Sequence, residues 1–267
     1  MRNRHSHSLR SANGYREFVM DLSLNGRTAA VAAATAGLGL ASAKALVEAG
    51  VRVAICGRTS SRVNAAVAAL GPNAVGIECD VSTSDGATMF VELARKQLGH
   101  IDILVTNGGG PKPGNFASLT VDDYLPALQQ SLLSVVAMCE AAVPAMRERK
   151  WGRVVAITSI SVRQPIANLM LSNTARAGVT GFLKTLAREI AGDGVTVNSV
   201  QPGIHATDRI IEVYGTQPDA QQLGIPAGVV GDPIDFGRVV AFLCSEPARF
   251  ITGAHLPVDG GSYAGLL

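Results

Sequence analysis

The sequence predicts an α/β fold: a single Rossmann-like, doubly wound parallel sheet of about seven strands in a three-layer sandwich. Two observations carry that prediction. Short apolar runs alternate with longer amphipathic ones along almost the whole chain, which is the pattern of repeated βαβ units. Glycine-rich or polar turns follow successive apolar runs, on the side where such a sheet opens its ligand crevice. Low aromatic content and abundant Ala, Gly and Val suit a parallel sheet covered by helices on both faces. At 267 residues the chain can bury one sizeable core.

The strands are expected at Thr28–Ala34, Val51–Cys56, Ala74–Cys79, Ile101–Thr106, Arg153–Thr158, Thr196–Gln201 and His255–Val258. Helices are expected to begin near Gly37, Ser60, Thr83, Val121, Leu171 and Pro233. The first strand is mostly alanine, which favours helix on propensity alone; its position before a glycine turn overrides that preference. Right-handed crossovers then wind the sheet both ways from its centre. The stretch from Ile204 to Gly231 lacks periodicity and holds several Gly and Pro, so a mobile helical lid over the site is expected there.

Residues 1–20 are expected to form a disordered tail, and residues 21–267 the domain. The polar, arginine-containing start has no apolar h-region and does not read as a secretory signal. An upstream start codon before Met20, or an organelle-targeting segment, are the other readings. A net charge of +2 without a basic run beyond the tail gives no reason to expect nucleic acid. No apolar run approaches the roughly 18 residues that cross a bilayer. Cys56, Cys79, Cys139 and Cys244 are far apart, and the histidines lack ligand spacing. A reduced, cytoplasmic setting and no metal site are the expectation.

The cofactor half is read from turns. After the first strand comes Ala33-Ala34-Thr35-Ala36-Gly37-Leu38-Gly39, where glycine lets backbone N–H groups approach a pyrophosphate. Asp80-Val81 follows the third strand, with a carboxylate able to accept from an adenine amino group. Asn107-Gly108 follows the fourth strand. Pro202-Gly203 follows the sixth and leads to Thr207, whose hydroxyl suits a carboxamide.

These turns, with Ser159 and the closing Phe250-Ile251-Thr252-Gly253-Ala254-His255-Leu256-Pro257-Val258-Asp259-Gly260-Gly261, resemble the short-chain dehydrogenase/reductase family over residues 22–262. Bacterial 3-oxoacyl-carrier-protein reductases show a similar tail. The family turn is Thr-Gly-x-x-x-Gly-x-Gly; here Ala32 and Ala33 replace Thr-Gly, while Gly37 and Gly39 remain. The resemblance implies a nicotinamide cofactor, with Ala33, Thr35, Gly37, Leu38, Gly39, Asp80, Val81, Asn107, Gly108, Pro202, Gly203 and Thr207 around it. Where a carboxylate would select NAD through the ribose diol, this chain has Gly57-Arg58. Room and positive charge there suit a 2′-phosphate, so NADP(H) is favoured over NAD(H).

The catalytic half departs from the resemblance. In the family a serine orients the carbonyl, a tyrosine gives the proton, a lysine lowers the tyrosine pKa and binds ribose, and an asparagine holds a relay water. Ser159 matches the serine. Ser172 stands at the tyrosine position, Arg176 at the lysine position and Ser131 at the asparagine position, and the flanking helix stays in frame. An aliphatic hydroxyl is a far poorer acid than a phenol, which titrates near about 10. Losing a positioned general acid typically sacrifices about 10²–10⁴-fold in rate. Arg176 keeps a permanent charge for ribose hydroxyls or an oxyanion but is a poor proton shuttle. His205 and Tyr214, in the lid, are the candidate proton sources, with a pocket-wall position as the alternative for each. Arg163 is either a substrate contact or a rim charge, and Lys184 is expected in solvent.

The expected function is an NADP(H)-dependent carbonyl reductase or alcohol dehydrogenase with a Ser-Ser-Arg site acting on a small molecule. Two alternatives stand beside it. Arg176 also resembles the arginine of halohydrin dehalogenases, cofactor-free lyases on this scaffold; Ser172 does not fit them. A non-catalytic nucleotide-binding homologue is the other. Resemblance further implies a homotetramer or homodimer, through the long fourth and fifth helices.

Overall fold

The computed structural model describes residues 20–208, 210–211 and 218–266. The readings of the tail before Met20, and of Tyr214, lie outside the described residues. The elements run β1 (Thr28–Val31), α1 (Gly37–Glu48), β2 (Arg52–Gly57), α2 (Ser60–Leu70), β3 (Ala74–Glu78), α3 (Ser84–Leu98) and β4 (Ile103–Thr106). Then come α4 (Val121–Glu148), β5 (Gly152–Ile157), α5 (Met170–Ile190), β6 (Val195–Pro202), α6 (Pro233–Cys244) and β7 (His255–Val258).

All seven strands are parallel and lie in the order β3-β2-β1-β4-β5-β6-β7. The chain therefore reverses its winding between β1 and β4, the neighbouring pair that opens a ligand crevice beyond the strand ends. Two apolar layers form the core. One packs Phe90, Met138, Met146 and Leu183 on one face, the other Leu46, Ile55, Ile103 and Phe236 on the opposite face. Because both faces are covered, β1, β4 and β5 are buried at every residue, which explains their largely apolar character.

β1 ends sooner than expected. Ala33 has φ +47°, a left-handed backbone that ends an extended strand after Val31. α6 approaches α1 through Gly237, where an added Cβ would strike the Ala41 carbonyl. α4 contains one π turn, Gln129–Leu133, between its regular segments. Among the described residues it is the one helix long and apolar enough by composition to cross a bilayer, and half of that stretch is buried inside the fold. At the far end of the sheet from the crevice, the Trp151 ring stacks against the guanidinium carbons of Arg27 at 3.7 Å and Arg153 at 4.3 Å.

The connection after β6 is tied at its base. His205 forms a one-residue parallel bridge with Gly231; the Ala206 N–H donates to the Gly231 carbonyl at 2.8 Å, and the Gly231 N–H to that of Ile204 at 3.1 Å. A short helical segment includes Asp208, Ile210 and Ile211.

Candidate active site

The glycine turn is built from close backbone approaches. Ala33 takes the left-handed conformation that the missing glycine would adopt without steric cost. Its N–H points at Cys56 Sγ (3.3 Å), and its carbonyl accepts from Asn107 Nδ2 (3.1 Å), which ties the end of β4 to the turn. A Cβ on Gly39 would lie 2.6 Å from Asn107 Nδ2 and 2.8 Å from the Ala33 oxygen, so only glycine fits there. Gly37 has φ +56°, and Thr207 Cγ2 lies 3.5 Å from where its Cβ would be. The connection after β6 thus meets the turn at Thr207.

α1 starts without a side-chain cap and carries no acidic residue in its first turn. Its leading N–H groups stay free of protein acceptors from its own cap, and the helix dipole favours a negative group at that end. Thr35 packs on Gly57, and Arg58 beside it is exposed. Next to Arg58 the Ser60 hydroxyl donates to Glu78, which places a carboxylate at the end of β3. Asp80 accepts the Ser82 N–H at 3.0 Å and Val81 is buried. Gly203 crosses tightly over Asp259, whose Cα would be 2.8 Å from an added Cβ, and Pro202 ends β6. These residues fit a dinucleotide's demands for free N–H groups, close backbone and a nearby cation.

The reactive side is a small cleft beneath the end of β5. Arg176 lies one turn into α5 from Ser172, and its Nη1 donates to the carbonyls of Ile157 (3.3 Å) and Thr158 (3.1 Å). Burial pushes its guanidinium pKa down, while the guanidinium keeps its charge. The same cleft is lined by Asn107, Gly108, Ser131 and Val179. Ser131 rides on the π turn of α4 and is 8% exposed, with no hydrogen-bond partner for its Oγ. Ser159 is half-buried and caps the short 3₁₀ turn after β5, accepting the Ser161 N–H at 3.1 Å. Ser172 is half-buried on the first turns of α5.

Three further side chains weighed from sequence, His205, Arg163 and Lys184, do not line the cleft. His205 is 4% exposed and does not line the cleft. Its ring packs edge-on to Phe236, 5.1 Å between centroids, and close against Gly231. A carbonyl can only accept, so Nδ1 donates to Gly203 (3.3 Å). Burial lowers the His205 pKa, opposed by that bond and by Asp232 and Asp259. Its packing is that of a pocket wall, the alternative position considered for it from sequence. Arg163 turns inward, donating to Gln201 Oε1 (2.8 Å) and the His255 carbonyl (2.9 Å), so it is neither a rim charge nor aimed at the cleft. Lys184 is exposed, as expected, and its Nζ donates to the Gly253 carbonyl at 2.7 Å.

Sequence reading missed two participants. The Ile157 and Thr158 carbonyls anchor Arg176, a backbone role with no side-chain signal. The π turn that carries Ser131 inward has no periodicity signature either, since one extra residue per turn is absorbed silently.

A family model described as enoyl-(acyl carrier protein) reductase matches residues 32–263. The 3-oxoacyl-[acyl-carrier-protein] reductase of Vibrio cholerae is 32% identical over 242 residues, covering 91% of this chain and 99% of that protein. The L-sorbose reductase of Gluconobacter frateurii, solved with NADPH and L-sorbose, superposes with a TM-score of 0.87 at 27% identity, over 92% of this chain and 100% of that one. A short chain oxidoreductase of Pseudomonas aeruginosa PAO1, described as containing an atypical catalytic center, superposes with a TM-score of 0.84 at 30% identity, over 92% and 100% of the two chains. Its NADPH-bound form gives 0.83 over 90% and 97%.

Proposed function

The chain belongs to the short-chain dehydrogenase/reductase family and is an oxidoreductase of that kind, and from this we propose that it is an NADP(H)-dependent carbonyl reductase or alcohol dehydrogenase working through Ser159, Ser172 and Arg176. The observation that carries the reading is the pairing of Arg176 with a glycine turn still closed by Asn107. A fixed cation stands beneath the end of β5, next to a crevice still shaped for a dinucleotide. NADPH in two structural relatives supports the choice of cofactor, and Arg58 supports it in this chain.

The bound cofactor would supply or accept the hydride. Gly37, Gly39 and the uncapped start of α1 hold its pyrophosphate, Arg58 its 2′-phosphate and Asp80 its adenine. Asn107, Gly108, Pro202, Gly203 and Thr207 frame the nicotinamide end. Ser159 and Arg176 polarise the substrate oxygen: the hydroxyl donates a hydrogen bond, and the guanidinium stabilises negative charge as it develops. The proton reaching that oxygen comes from solvent water held at Ser172, because the His205 ring packs against Phe236 outside the cleft. Such a relay is weaker than a phenol, and turnover about 10²–10⁴-fold below that of a tyrosine-bearing relative is the expected consequence. The substrate is a small carbonyl compound or alcohol and the setting cytoplasmic. Pairing through α4, whose Val121 (81% exposed) and Leu125 (69%) leave apolar surface in solvent, supports a homodimer or homotetramer.

Fluorescence titration with NADPH and NADH, followed by a carbonyl panel, tests the reading. Tighter NADPH binding and slow carbonyl-dependent oxidation are expected. Binding without turnover would favour a non-catalytic homologue, and halide release from a chlorohydrin without nucleotide would favour a lyase. Ser172→Tyr with Arg176→Lys should raise the carbonyl reduction rate by at least about tenfold.

A further inference from the structure

A second cavity opens at the end of the sheet opposite the crevice, where β5 and β6 begin. It measures ≈260 Å³, and Lys150, Arg153, Thr196, Glu246, Arg249 and Thr252 are among its lining residues. β5 runs from Gly152 to Ile157, so about 20 Å of strand separates this cavity from Ser159. Positive charge is in excess around it. The Glu246 carboxylate is shared by Arg153 Nη2 (3.2 Å) and Arg249 Nη1 (3.7 Å), and it also accepts from Trp151 Nε1 at 3.3 Å. Asp193 is shared in the same way, by Lys150 Nζ (2.6 Å) and Arg147 Nε (2.7 Å). Four cations against two carboxylates leave two positive charges over. Arg153 registers that excess: burial lowers its pKa, Glu246 opposes the shift, and Arg27 and Arg249 lower it further.

The donors differ in how far the fold already uses them. Arg153, 2% exposed, gives its N–H groups to the carbonyls of Gly152, Gly194 and Ser245 as well as to Glu246, and is a fixed charge in the wall. The Arg249 side chain is 69% exposed and makes no hydrogen bond among the described residues, so its fork is available. Thr196, 5% exposed, has an Oγ1 without a hydrogen-bond partner. Thr252 Oγ1 accepts the Val197 N–H at 3.1 Å and keeps its own proton to give. Guanidinium, ammonium and hydroxyl donors around an excess of two charges suit a tetrahedral dianion. A phosphate monoester carries about −1.5 to −2 at pH 7. Inorganic phosphate would match the charge but leave most of the cavity empty, and drug-sized ligands need roughly 300–1,000 Å³.

We propose that this cavity binds a small phosphate monoester, of the size of a triose or polyol phosphate, with its dianion against Arg249, Lys150 and the Thr196 and Thr252 hydroxyls. None of these residues serves the dinucleotide or the carbonyl substrate, so the site stands or falls separately from the oxidoreductase reading. Because β5 separates the two sites, the phosphate monoester and NADPH bind together and do not compete.

The test uses the full chain and glycerol 3-phosphate as the probe, followed by calorimetric titration and by thermal unfolding at constant ionic strength. One equivalent should bind, with a saturating rise in Tm on the order of 4 °C at about twenty times Kd. Glycerol, or sodium chloride at equal ionic strength, should give no saturating rise, and inorganic phosphate should bind several-fold more weakly. Arg249→Gln should weaken the affinity by about tenfold or more, as loss of a charged hydrogen bond does, and Thr196→Val by about fivefold. The first changes an exposed side chain and the second keeps the side-chain shape, so both variants should fold. Saturating NADPH should leave the affinity for glycerol 3-phosphate unchanged. A Tm that follows ionic strength alone, an affinity unaltered in both variants, inorganic phosphate binding as tightly as the monoester, or displacement by NADPH would each overturn the proposal.

Discussion

Ala33 shows what one methyl does at a turn that asks for none. Its φ of +47° places a non-glycine residue where L side chains cost roughly 1–2 kcal/mol. Glycine would relieve that strain but return about 0.4–1 kcal/mol through a freer unfolded chain. Ala33→Gly should therefore stabilise by about 0–1.6 kcal/mol. Ala33→Val should destabilise by about 2 kcal/mol or more, since a branched Cβ is worse there; chemical denaturation of the pair measures both. Gly39 is less forgiving. Gly39→Ala should break the Asn107–Ala33 tie and weaken NADPH binding by tenfold or more, read by fluorescence titration, because the crowding atoms include backbone.

Two histidines set a pH response. His205 and His255 both have pKa values lowered, His205 by burial first and His255 by burial followed by Lys184 and Arg163. The unfolded chain thus binds protons more readily, and stability is lost as pH falls below the ordinary imidazole value of about 6.5. Tm measured from pH 7.5 down to 5.5 should drop, and His205→Gln should flatten part of the slope.

At the scale of elements, the π turn in α4 matters most. It places Ser131 against the cleft, and α5 holds it there: a Cβ on Gly178 would lie 3.2 Å from Leu132 Cδ2. Gly178→Val should force Leu132 aside, with a cost of about 1–3 kcal/mol and a change in any property that reads Ser131. A Phe236→Ala change is the control in another layer. It removes a fully buried ring and the wall behind His205, for roughly 3–5 kcal/mol, with the cleft itself left in place.

Across the whole molecule, the sheet was legible because its strands are short, the central ones are buried on both faces, and helices separate them along the chain. Helix starts at Gly37, Ser60, Val121 and Pro233 fall where expected, since punctuating residues there act locally. β1 was overrun by three residues because the left-handed Ala33 carries no mark that distinguishes it from its alanine neighbours. In the cleft, Ser131 and Arg176 were placed by spacing along in-frame helices. For His205 the sequence left two positions open because a loop hides its packing: the bridge to Gly231, distant in sequence, sets the ring against Phe236.

That bridge has a consequence of its own. It brings the two ends of residues 206–230 side by side, and the connection meets the rest of the protein again at Thr207 on the glycine turn and where the Ala227 N–H donates to the Gly260 carbonyl (2.9 Å). A transplant from a relative at the His205 and Gly231 joints that keeps Thr207 and Ile225–Ala227 should alter which substrates are admitted while sheet order and nucleotide affinity stay nearly constant.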